Sequence, residues 1–112
     1  MVIIKRVYDQ PEKKDGYRIF IDRLWPRGMR KDALHYDIWL KDIAPSSSLR
    51  TWFGHKPERF AEFTKRYKAE LKENVALNEL KQLCKGHKNI CLLIAAKDAA
   101  HNHALVVKEI LK

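Results

Sequence analysis

Apolar residues gather along this chain in two patterns. Val2–Tyr8, Tyr17–Leu24 and Asn89–Ala96 are short runs rich in isoleucine, leucine and valine, a length and composition that suit β-strands. The second and third, YRIFIDRL and NICLLIAA, are the most continuous. Each suits a strand buried on both faces, and the two are expected side by side and parallel at the centre of the sheet. Elsewhere the apolar residues repeat at helical spacing. Pro57–Lys72 is the clearest case, with Phe60, Phe63, Tyr67 and Leu71 on one stripe. Val75–Lys85 follows with Leu77, Leu80, Leu83 and Cys84, and Gly86 is placed to cap it. Leu34, Ile38 and Trp39 predict a helix over Leu34–Ile43, and the hydroxyls of Ser46–Ser48 a short helix to Trp52. Asp98 is placed to cap a closing helix over Ala99–Leu111.

The connections set the topology. The polar loop Asp9–Gly16 is short enough to predict an antiparallel hairpin between the first two strands. The long helical stretch before Asn89 allows the second and third strands to run parallel, as a crossover. The expected architecture is α/β: a small sheet of about three strands, the central pair parallel, packed with four to five helices. Residues 1–112 read as a single α/β domain.

Composition changes the picture in one respect. Lys and Arg total 23 against 14 Asp and Glu, a formal net charge of +9. That favours anionic partners: nucleic acid, nucleotides or phosphorylated metabolites. No apolar run approaches the ~20 residues of a membrane span, and the start of the chain lacks a signal-peptide pattern. Cys84 and Cys91 have no metal-ligand or Cys-x-x-Cys spacing, so they read as reduced core thiols of a cytoplasmic protein. Nothing matches a phosphate-binding loop, a dinucleotide fingerprint, a nucleophile elbow or a zinc motif. No cofactor or metal is expected.

Candidate chemistry collects at the strand ends. After Ile21 the second strand changes character to Asp22, Arg23, Trp25, Pro26, Arg27 and Gly28. Pro26 should stop the strand and Gly28 allow a turn. In open α/β sheets ligands bind just beyond the carboxyl ends of the strands. A plainer reading pairs Asp22 with Arg23 or Arg27 and leaves Trp25 as a core plug. If the central strands are parallel, these residues meet Lys97, Asp98, His101, Asn102 and His103 at the start of the closing helix, where free amides attract anions. Arg23, Trp25, Arg27, Lys97 and Asn102 are the expected ligand-binding residues. Asp22, His101 and His103 are the candidate acid–base groups. At i and i+2 of a helix the two histidines cannot converge on one ion: one should face the sheet end, the other solvent or core. The competing reading makes them capping and packing residues. His55, in Trp52-Phe53-Gly54-His55, either caps the following helix or enters the site.

DGYRIFIDRLWPRG, WLKDIAPS, LRTWFGHKPERFAEFTKRYKAEL and AAKDAAHNHALVVKEIL together resemble the YeaO-like group of a bacterial family of domains of unknown function. The resemblance runs from about Arg6 to the C-terminus and implies an α/β fold. Larger relatives carry an acid–arginine pair at one strand end and a late Cys-His-Arg near another. By that pattern Asp22 and Arg23 match the first pair and His103 the late histidine. Asn102 and Ala104 stand where the cysteine and arginine would be, so thiol chemistry does not carry over.

Two functions fit these features. One is a site for a phosphate-bearing or nucleotide-like anion at the strand ends, with proton transfer by Asp22 and the histidines as its enzymatic form. The other is a non-catalytic nucleic-acid-binding or regulatory module. Charge-balanced exposed positions on the Pro57–Lys72 helix, which mix Glu58, Arg59, Glu62, Lys65, Arg66, Lys68 and Glu70, favour the first.

Overall fold

A computed structural model describes residues 1–112. Four strands form one sheet: β1 (Val2–Arg6), β2 (Tyr17–Phe20), β3 (Ile38–Trp39) and β4 (Ile90–Ile94), in the order β1-β4-β2-β3. Every neighbouring pair is parallel. Ile90 is in register with Val2 on one side and Tyr17 on the other. The two most continuously apolar runs, β2 and β4, are therefore the adjacent central strands, as the pattern predicts. All five residues of β4 are buried.

The hairpin expected between the first two strands does not form, because β4 lies between them. Val7–Gly16 instead carries the chain over β4 as an unusually short parallel crossover. At ~3.3 Å per residue it has ample reach to return along a five-residue strand. Its return is fixed by charge. Lys5 Nζ donates to the Gln10 carbonyl at 2.6 Å and to Asp15 at 3.1 Å, and Arg18 pairs with the same Asp15. Asp15 is fully buried. Burial pushes its carboxyl up, but the Glu12 N–H, Lys5 and Arg18 outweigh that and hold it below the ordinary range.

The predicted helix over Leu34–Ile43 is also replaced. Asp37 N–H donates to the Arg18 carbonyl, Ile38 and Trp39 pair with Ile19 and Phe20, and a 3-10 turn covers Lys41–Ile43. Adjacent Ile38 and Trp39 pack on opposite faces of the sheet, an alternation that their helical spacing concealed.

Helices α1 (Ser47–Phe53), α2 (Phe60–Lys72), α3 (Val75–Gly86) and α4 (His103–Ile110) all pack on one face. Ser46 caps α1 by accepting from the Leu49 N–H, and Asn74 caps α3 through Ala76. Pro57–Arg59 forms a separate 3-10 turn before α2. Gly86 ends α3 as a helical residue rather than as its cap, and His87 follows in extended geometry. The core on this face joins Ile19, Ile21, Leu92 and Ile94 to Phe53, Phe63, Tyr67, Leu80 and Val107. Each such large side chain contributes about 1.5–3 kcal/mol by leaving water. The opposite face has no helix. There Phe20, Cys91 and Leu93 are covered by Trp25, Met29 and Leu34 from the irregular segment between β2 and β3, and by Trp39 of β3.

Candidate functional site

Because β2 and β4 are parallel, their carboxyl ends open on the same side. β2 ends at Phe20, shorter than the predicted run to Leu24, and Leu24 is 65% exposed. The ladder continues one residue further, with Ile21 N–H donating to the Leu93 carbonyl at 3.1 Å. A side chain then takes over. Asp22 Oδ2 accepts the Ala95 N–H at 2.9 Å, and the Trp39 indole N–H donates to the Asp22 carbonyl at 2.7 Å. Asp22 is thus held by its backbone and by its carboxylate.

His103 opens α4 beside it. Its Nε2 lies 3.1 Å from the Ile21 carbonyl and 3.3 Å from Asp22 Oδ1. A carbonyl only accepts, so Nε2 carries the proton. Oδ1 is buried and has no hydrogen-bond partner. Burial pushes the Asp22 carboxyl up, and the opposing pull of His103, the Ala95 N–H, Arg50 and His55 leaves it raised. Burial likewise pushes the His103 imidazole down, more than the Asp22 charge pulls it back. Tyr67 lies edge-on to His103, ring centroids 6.2 Å apart, with its hydroxyl donating to the Ile43 carbonyl at 2.6 Å.

Above this pair is a cleft of about 740 Å³ whose lining includes all eight residues expected at the site. Their employment there differs. Arg23 donates to the Ala44 carbonyl at 3.0 Å and more weakly to Pro45, so it ties β2 to the entry of α1. Asp22 therefore pairs with neither Arg23 nor Arg27. Trp25 donates to the Met29 carbonyl and packs edge-on to Phe20, Tyr36 and Trp39, joining the aromatic cover of the helix-free face. Arg27 is exposed at the rim, in a turn closed by the Met29 N–H on the Pro26 carbonyl with Gly28 at φ 76°. Lys97 is exposed opposite.

Asn102, not Asp98, caps the closing helix. Its Oδ1 accepts from Leu105 N–H and its Nδ2 donates to the Asp98 carbonyl. Asp98 closes the preceding turn, accepting from the amides of Ala100 and His101 and facing His101 Nδ1 at 2.9 Å. The helix starts at His103 rather than Ala99, because this Asx turn gives the amides partners outside a helix. The two histidines diverge as their spacing requires: His103 faces the sheet end, and His101 stands half-exposed, edge-on to Phe60.

Of two further lining residues, His55 takes the second of its two expected places and Arg50 escapes a reading along the chain. His55 follows Gly54 with a second left-handed backbone, φ 56°, and lines the cleft instead of capping the next helix. Arg50 lies on α1, half-buried, with Nε sealed from water and no hydrogen-bond partner. Its neighbours Leu49 and Thr51 give no cue along the sequence. Only the packing of α1 against the strand ends brings it to Asp22.

A family model described as the inactive DUF488-N3 subclade matches residues 1–112. The chain belongs to that subclade. Uncharacterized proteins stand among those it is similar to. The uncharacterized protein YeaO of Escherichia coli is 44% identical over 110 residues, covering 96% of this chain and 94% of that protein. The uncharacterized proteins Rv3073c of Mycobacterium tuberculosis and Mb3100c of Mycobacterium bovis are each 44% identical over 110 residues, covering 98% of this chain and 92% of theirs. No solved structure matches. The subclade assignment agrees with the YeaO-like resemblance of the strand-end and closing-helix segments. No helix here is long and apolar enough to cross a membrane.

Proposed function

We propose that this member of the subclade binds a small anion, phosphate-bearing or nucleotide-like, at the carboxyl ends of β2 and β4, and does so without turnover. One observation carries the reading. Three cationic side chains in a single cleft, Arg27, Arg50 and Lys97, make no ion pair within the chain, and Arg50 Nε is buried without a partner. A buried donor left without a partner is costly, and an anion in the cleft would relieve that cost at Arg50. A volume near 740 Å³ suits a ligand up to nucleotide size. The amide end of α4 adds favourable dipole at the same mouth.

The absence of turnover rests on two points. The subclade is described as inactive, and no cysteine lines the cleft. Cys91 packs on the helix-free face, where burial pushes its thiol up to about 11. In this reading Asp22 and His103 shape the binding site rather than move protons during a reaction, and His101 supports the turn before α4.

Thermal melts with and without phosphate or a nucleotide test the proposal. Either ligand should raise the midpoint of the parent protein. Arg27→Ala should melt at nearly the parent temperature without ligand, because its side chain is exposed and unpaired, and should lose most of the ligand-dependent rise. An unchanged rise would place the site elsewhere, and a variant that unfolds would make Arg27 structural.

A further inference from the structure

We propose that the cleft selects a phosphate that retains a proton over a fully deprotonated oxyanion such as sulfate, with Asp22 as the acceptor that reads the proton. This rests on the anion-binding reading above.

Two carboxylates line the cleft, and they differ in what they have left to offer. Asp98 is consumed by its own turn: Oδ1 takes two backbone amides and Oδ2 faces the His101 ring. Asp22 is not. Oδ1 is sealed beside His103, but Oδ2 accepts one hydrogen bond, from Ala95, where a carboxylate oxygen can accept two. The side chain keeps 18% of its exposure. Nor is this acceptor free to turn away from a ligand. The Trp39 indole holds its backbone, Ala95 holds Oδ2 and His103 abuts Oδ1. An anion gathered by Arg27, Arg50 and Lys97 must therefore meet a fixed carboxylate.

What happens at that contact depends on the proton. At neutral pH inorganic phosphate keeps at least one proton, and sulfate keeps none. A P–OH donates to the Asp22 oxygen and forms a short charge-assisted hydrogen bond. A bare sulfate oxygen in the same place puts two anionic oxygens together in a cleft partly stripped of water, where their repulsion is stronger than in bulk solvent. The three cations attract both ions alike, and Asp22 separates them.

Calorimetric titration of the full chain at pH 7.5 with inorganic phosphate and with sulfate tests this. Phosphate should bind roughly ten- to hundredfold more tightly, the worth of one hydrogen bond to a charged group. Asp22→Asn should bring the two affinities together, since an amide N–H can donate to sulfate. Arg27→Ala should weaken both ions and preserve their ratio, which keeps the test available if Asp22→Asn does not fold. Equal affinities in the parent, or a ratio that collapses in Arg27→Ala, would overturn the role of Asp22 and leave the anion site standing. If neither ion binds, both proposals fall together.

Discussion

At the scale of single residues, the cleft trades stability for unfilled valence. Arg50 carries a buried donor without a partner, so removing it should cost the ligand-free protein little. Arg50→Ala is expected to melt within a few degrees of the parent, because the side chain gives up an unpartnered buried Nε together with its attraction to Asp22. The same variant should lose the phosphate-dependent rise, and a large drop in the ligand-free midpoint would show that Arg50 packs rather than waits. His103 makes a pH prediction with a definite sign. Its imidazole is held below the ordinary 6.5, so the folded protein takes the proton less readily than the unfolded chain. Its contribution is full above 6.5 and is lost as pH falls towards the folded value. The raised Asp22 acts in the opposite sense, favouring the folded state towards lower pH. Urea midpoints should therefore fall as pH drops below about 6.5, and His103→Gln should flatten that slope. Most of these residues were legible in the sequence by chemical type and by their place after two apolar runs. Arg50 was not, because nothing in Leu49-Arg50-Thr51 distinguishes a cleft arginine from one on a solvated face.

At the scale of elements, composition and continuity were readable where burial alone dictates them. β4 and β2 are apolar because both of their faces are covered, and that signal needs no knowledge of neighbours. Connections are different. The short Val7–Gly16 link looks like a hairpin until β4 claims the place between its strands and Asp15 ties the return to Lys5 and Arg18. β3 is two residues long, and pairing with β2 rather than local propensity decides it. The crossover also sets a steric limit. Gly16 has φ 73°, and a Cβ there would lie 2.2 Å from the Asn89 carbonyl oxygen. Gly28 has φ 76° with nothing within 4 Å. Gly16→Ala should therefore destabilise by at least ~2–3 kcal/mol, against about 1 kcal/mol for Gly28→Ala, which pays only for the left-handed backbone. Urea unfolding of the two variants gives the comparison, and equal losses would mean that β2 can shift away from Asn89 at little cost.

At the scale of the whole molecule, the formal charge of +9 exceeds what the cleft holds, four cations against two carboxylates. The remainder is spread over exposed lysines such as Lys13, Lys14, Lys65, Lys81 and Lys85. Scattered charge of this kind gives non-specific attraction to polyanions that salt removes. Fluorescence anisotropy should show random duplex binding largely gone by ~0.2 M salt, and tight binding that persists there would favour the nucleic-acid reading over the cleft. The uneven covering of the sheet has its own consequence. One face is locked beneath four helices, while the other lies under the irregular chain from Leu24 to Tyr36. That cover can lift without disturbing any strand of the β1-β4-β2 ladder. Amide hydrogen exchange should accordingly separate into two classes. The amides of Cys91–Leu93 should exchange only when the whole protein unfolds, and those of Met29 and Ala33, bonded only within local turns, should exchange orders of magnitude sooner from an otherwise native molecule.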